Sequence, residues 1–135
     1  MTEEVEGGFI ISNDRTRLNT ERICYLLSKT YWADKRSEDK IELSIQNSIC
    51  YGVYKNDLQI GFARVVTDFA TMFWLGDVVI DEEYRDKGLG KKLVDLIVNS
   101  EELQGLKGFL STKNAHGLYE KYGFVRSGDI FMSRN

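Results

Sequence analysis

Two cysteines are all that this chain has, and they stand apart. Cys24 and Cys50 form no C-x-x-C pair and have no histidine beside them, so their spacing offers no metal-binding set. Both fit better as small apolar packing residues in a reducing cytosol, and a cytoplasmic location is expected. Proline is missing altogether, and no functional consequence attaches to that. A basic surplus is missing too: the formal charge is −3. That balance argues against nucleic acid as a partner, because phosphate binding needs clustered Lys and Arg. No apolar run approaches the roughly 20 residues that cross a bilayer, so no membrane partner is expected. Met1 to Gly8 is acidic and lacks a signal-peptide core. No repeat or low-complexity tract interrupts the 135 residues, a length that suits one domain with its own core.

The informative stretch runs from Val78 to Leu93. Val78-Val79-Ile80 is a β-branched apolar run suited to a buried strand. Glu82 to Lys87 is polar and makes a turn. Gly88 and Gly90 then open a helix whose Leu89, Leu93, Leu96 and Ile97 recur at spacings of four, seven and eight, one helical face. The first turn of a helix carries N–H groups with no internal acceptor and the positive end of the dipole. Glycine removes the Cβ that would hold a bulky anion away from that backbone. Arg85, Lys87, Lys91 and Lys92 add cations, so the turn reads as the seat of a phosphorylated ligand. A dinucleotide fingerprint would need Gly where Leu93 stands. A triphosphate loop would need an upstream Gly and a hydroxyl that Gly90-Lys91-Lys92 lacks.

Taken in order, Phe9–Ser12 reads as a first strand at an edge. Asn19 caps a helix, with Leu18 and Ile23 as a hydrophobic staple and Ile23, Leu26 and Leu27 facing inward. Tyr31 to Arg36 is a loop with two large aromatics, and Ser37 caps a second helix carrying Ile41 and Ile45. Ser48–Tyr54 and Leu58–Thr67 form a hairpin across Lys55-Asn56-Asp57. Met72–Ile80 is apolar at nearly every position, a strand buried on both faces. Within it Gly76 suggests a bulge, and Asp77 is a carboxylate that needs partners if buried. Phe109–Thr112 is a short strand, parallel to its predecessor through a right-handed crossover. Ala115, Leu118 and Tyr122 share a helix face that Gly123 closes. Phe124–Arg126 and Ile130–Met132 read as the last strands. The whole is an α/β (α+β) domain with a mixed central sheet of about six to seven strands and about four helices.

Two motifs carry a resemblance. Arg85 to Gly90 reads R-x-x-G-x-G, and Ala115 to Phe124 reads A-x-x-L-Y-E-K-Y-G-F. In order and spacing they resemble the acyl-CoA pyrophosphate loop and the C-terminal helix of the GNAT superfamily of N-acetyltransferases. The resemblance spans roughly Ser48 to the C-terminus. It implies a single N-acetyltransferase domain over residues 1–135, acetyl-CoA as cosubstrate and no metal. Acetyl would pass to a primary amine of a small molecule or peptide by direct attack in a ternary complex. Val78, Val79 and Ile80 would hold the pantetheine arm and acetyl carbonyl through their backbone. Backbone N–H groups of Arg85, Asp86, Lys87, Gly88, Leu89, Gly90 and Lys91 would bind the pyrophosphate, and Tyr119 would be the general acid.

Where this family often has Asn, three residues before the Ala, this chain has Thr112, with Asn114 directly before Ala115; both stand as pantetheine partners. No glutamate stands out as a base. Asp77 is the candidate, against the plainer reading of a structural carboxylate paired with an Arg. His116 is the single histidine and sits beside the expected site. Tyr31, Trp32, Arg36 and Asp68 fall where the family builds acceptor sites, although the aromatics fit a core equally well. Asp68 and Asp77 would present negative charge to a cationic acceptor. Dimers are common in the family, so the resemblance is compatible with a homodimer, while the sequence itself leaves the oligomeric state open. The competing reading is a non-catalytic acyl-CoA-binding or sensor module on the same fold.

Overall fold

A computed structural model describes residues 1–134. Its frame is a six-stranded sheet in chain order: β1 (Thr2–Val5), β2 (Phe9–Ser12), β3 (Ile49–Lys55), β4 (Leu58–Thr67), β5 (Met72–Ile80) and β6 (Lys107–Phe109). Every neighbouring pair is antiparallel except β5 and β6, which are parallel. Helices α1 (Thr20–Ser28) and α2 (Glu38–Gln46) separate β2 from β3. Helix α3 (Leu89–Val98) makes the crossover to β6, and the short α4 (His116–Glu120) follows it.

The helix starts form where the capping residues stand. Asn19 Oδ1 accepts from the Arg22 N–H at 3.1 Å, and Ser37 Oγ accepts from Lys40 at 3.2 Å. Each satisfies one donor that the first turn leaves orphaned. The apolar stripe of α3 buries Leu89, Leu93, Val94 and Ile97 against Ile11, Val53 and Leu75 on one face of the sheet. Burial of such side chains stabilises by about 1.5–3 kcal/mol each. The other face packs under α1 and α2, where Ile23, Leu26, Leu27, Ile41 and Ile45 meet Phe62 and Val79. Cys50 lies in that second core with its thiol pushed up to about 11 by burial, and Cys24 packs beside it, both unbridged. They behave as small apolar residues.

Three expectations change. Phe9–Ser12 is not an edge: Thr2–Val5 pairs with it, turned back through Gly7 and Gly8 at φ +94 and +81. The acidic Thr2-Glu3-Glu4-Val5 hides its strand character because it lies half-exposed at the sheet margin. The parallel strand is Lys107–Phe109 rather than 109–112, since pairing runs only from Met72↔Lys107 to Trp74↔Phe109. The expected C-terminal strands do not form among the described residues. Aromatic contacts hold that segment instead: Phe124 meets Phe73 and Tyr119 edge-on, and Phe131 stacks on Trp74. Val125, Ile130 and Met132 are left exposed.

Two irregularities in β5 position the site. The register with β4 shifts between Phe62 and Arg64, and Asp77 takes a left-handed φ of +56, which is the expected bulge. Beyond Trp74, β5 has no partner on its outer side among the described residues, so Leu75 to Ile80 borders an opening where the parallel pair has separated.

Candidate active site

The turn after β5 is braced from several directions. The Asp81 N–H donates to the Ile60 carbonyl at 2.7 Å, while its carboxylate accepts from the Glu83 N–H and pairs with Arg22 at 2.8 Å. Arg85 folds back so that Nε donates to the Ile80 carbonyl at 3.1 Å, keeping its charge at the strand end. Asp86 and Gly88 adopt left-handed φ values of +64 and +76, and the chain then enters α3 without any side-chain cap. A Cβ at Gly88 would meet nothing within 4 Å, and one at Gly90 only Ile80 Cγ1 at 3.9 Å. Uncapped N–H groups, open space and the positive end of a helix are the features that suit an anion such as phosphate. Lys92 turns away from this seat, to Glu3 at 3.4 Å.

Tyr119 lies in α4, with Tyr31 of the aromatic loop nearby. Gly123, at φ +87, closes that helix: its N–H donates to Glu120 O at 3.2 Å and the Phe124 N–H to Tyr119 O at 3.3 Å. The Tyr119 ring is buried against Phe124, and burial followed by the nearby Tyr31 raises its phenol above the ordinary value. The hydroxyl therefore stays protonated at neutral pH. Thr112 Oγ1 accepts from the Ala115 N–H at 3.0 Å and keeps its own proton to donate, whereas Asn114 is exposed. A cavity of about 830 Å³ opens between β6 and the C-terminal segment and reaches Thr112, His116 and Tyr119, but none of residues 78–91.

On the α1/α2 face, Asp77 gathers the aromatic loop. Its Oδ2 accepts from Arg36 Nη1 and Arg64 Nε, each at 2.8 Å, and its Oδ1 from Trp32 Nε1 at 3.1 Å. The carboxylate is 3% exposed. Burial alone would push it up, but the two guanidinium groups outweigh this and hold it below the ordinary carboxylate range. Three donors and a lowered pKa make it a weak proton acceptor and a strong anchor. Tyr31 and Trp32 are 53% and 42% exposed, so neither is a core residue. Their rings meet edge-on at 5.1 Å, and Lys113 Nζ sits 4.2 Å from the Tyr31 centroid.

The structure therefore brings Tyr31, Trp32, Arg36 and Asp77 together and leaves Asp68 out. Asp68 caps the β4–β5 hairpin, accepting from the N–H groups of Ala70, Thr71 and Met72. Asp77 lies five residues past Met72 along β5, roughly 16 Å at strand rise. Sequence reasoning missed Arg64 and Lys113. Arg64 carried a signal, a charge inside the apolar run Ile60 to Val66, and the hairpin that sets it near Asp77 was legible. Lys113 carried none.

Comparisons with known proteins agree with this fold. Residues 46–126 match the acetyltransferase (GNAT) domain family. A relative from Gibberella zeae, named as an acetyltransferase, is 27% identical over 73% of this chain and 66% of its own length. This chain thus spans just under two thirds of that relative. A crystal structure from Xanthomonas campestris, of a protein described as belonging to the GNAT family, superposes with a TM-score of 0.88. It is 36% identical over 94% of this chain and 92% of that one. An aminoglycoside 6′-N-acetyltransferase solved with coenzyme A shares the fold alone, with a TM-score of 0.54 at 22% identity over 64% and 52% of the two chains. With more than half of its length inside that domain family, the chain belongs to the GNAT acetyltransferases.

Proposed function

We propose that this chain transfers acetyl from acetyl-CoA to a primary amine by direct attack in a ternary complex. The observation that carries this reading is the opening beside β5: pairing with β6 stops at Trp74↔Phe109, and the free edge leads to the uncapped Gly88–Gly90 helix start. Backbone groups of Val78 to Ile80, with Thr112 and Asn114, would hold the pantetheine. The turn from Arg85 to Lys91 would hold the pyrophosphate. The amine nitrogen forms its bond to the thioester carbon, the C–S bond breaks, and Tyr119 gives its proton to the departing sulfur. The proton released by the amine leaves through water, and the Tyr119 phenolate takes a proton back from water to restore the phenol. Two free thiols fit a reducing compartment, so a cytoplasmic site of action belongs to this reading, as does a homodimer. Among the described residues no helix is long and apolar enough to cross a membrane.

Acetyl-CoA at a hundredfold over its dissociation constant is expected to stabilise the protein by about 2.7 kcal/mol. Gly90→Gln tests the seat. Removing a glycine at the second position of α3 should stabilise the free protein by less than about 1 kcal/mol, the helix-interior value, while the new side chain fills the phosphate space and abolishes the ligand shift. Thermal melts with and without acetyl-CoA measure both signs; a variant that binds as the parent does would sink the loop assignment. Trp32→Ala is expected to leave the free protein's melting temperature within a few degrees, because the ring is half-exposed. It should raise the acceptor KM and spare acetyl-CoA binding, as steady-state kinetics in each substrate would show. A non-catalytic acyl-CoA sensor would give the thermal shift but release no thiol with any amine.

A further inference from the structure

We propose that the acceptor carries an anionic oxygen group, a carboxylate or phosphate, which docks on the free edge of Arg36. This rests on the reading above, in which the Tyr31–Trp32 surface receives the acceptor. Both acidic residues expected there are spent: Asp68 sits in a distant turn, and Asp77 faces two guanidinium groups and an indole. A cationic acceptor therefore finds neither of those two carboxylates free. Arg36 and Arg64 share the single buried carboxylate of Asp77, which leaves this pair with a positive surplus; Asp34 and Glu38 flank Arg36 in sequence, exposed and in no ion pair with it.

Arg36 is the residue placed to use that surplus. Only its Nη1 is engaged, by Asp77; Nε and Nη2 have no protein partner among the described residues. Those two groups share one edge of the guanidinium plane and point their N–H bonds in parallel, the fork that receives two oxygens of a carboxylate or phosphate. The side chain is 26% exposed, open enough to be reached and buried enough to be held. Asp77 fixes the plane of the fork and at the same time fixes Trp32, which would flank the bound group. Arg64 is less available, with Nε on Asp77 and Nη1 on Ser48 Oγ at 3.1 Å.

Paired amines test this. Phenylalanine against phenethylamine, and phosphoethanolamine against ethanolamine, differ within each pair by the anion. Thiol release from saturating acetyl-CoA should favour an anionic member at least tenfold in kcat/KM, and the pair that responds identifies carboxylate or phosphate. Arg36→Gln should reduce the preference below threefold, mainly through KM. Arg36→Lys, which keeps a charge for Asp77 but loses the fork, should do the same; both should leave the acetyl-CoA melting shift intact. Where neither pair is turned over, binding of N-acetylphenylalanine and its amide is measured by calorimetry on the free and CoA-loaded protein. Tighter binding of the acid, lost in Arg36→Lys, supports the proposal. Equal or better use of the neutral amines overturns it, as does, where no amine of either pair is turned over, equal binding or no binding of acid and amide. Failure of the acetyltransferase reading looks different: acetyl-CoA itself would give no melting shift.

Discussion

Tyr119→Phe is expected to lower turnover by about 10²–10⁴-fold, the usual loss when a positioned acid is removed. The ring stays, its edge-on contact with Phe124 stays, and the melting temperature and acetyl-CoA affinity should barely move. The leaving thiolate needs a proton near neutral pH. A phenol raised above its reference value of about 10 by burial and by Tyr31 holds that proton throughout the neutral and mildly alkaline range. As far as Tyr119 governs the alkaline limb, turnover should stay flat to about pH 10. Full activity in the variant, with chemistry shown to be rate-limiting, would move the role to water or to His116.

Asp77→Asn is expected to cost about 3 kcal/mol, the low end for removing one partner of a buried ion pair, because Arg36 and Arg64 keep some solvent. For a chain of this length that is a fall of roughly 10 °C in melting temperature. The pH dependence has a definite sign. The folded-state pKa of Asp77 is depressed, so its stabilisation is complete above the unfolded value of about 3.9 and disappears as pH falls through the lower folded value. Parent and variant should therefore differ fully at pH 7 and converge only below about pH 4, as denaturant titrations across pH would reveal. The freed Trp32 and Arg36 should also raise the acceptor KM. If the variant instead keeps its stability and KM but loses turnover alone, Asp77 is a base and not an anchor.

Legibility followed the physics of each signal. Asn19, Ser37 and Gly123 announce helix ends because capping is local, and the structure caps at all three. Leu89, Leu93 and Ile97 declare the buried face of α3 through spacing alone. The glycine turn was readable because an uncapped helix start is a backbone property. Asp77 could be marked as needing partners, yet which arginines would answer depended on the loop after α1 reaching over β5, and no local pattern encodes that. The last strands were misread because alternating apolar residues state only a capacity to pair. β6 is three residues long, and Phe124 and Phe131 found aromatic partners on and beside β5 instead.

The bulge in β5 changes which way the strand reads. Phe73 and Leu75 face the α3 core, and so do Val78 and Ile80. Leu75 and Val78 are three positions apart, where a regular strand repeats a face every two. The strand thus changes parity at Gly76-Asp77, and everything after it points opposite to where simple alternation would send it. Were the count even, Asp77 would project among Leu89, Leu93 and Val94, a charge without a donor. A one-residue deletion here would therefore act as an inversion, exchanging the polar and apolar sides of the strand's second half. The ion cluster beneath Trp32 exists on its own side of the sheet because β5 is one residue longer than its pairing requires.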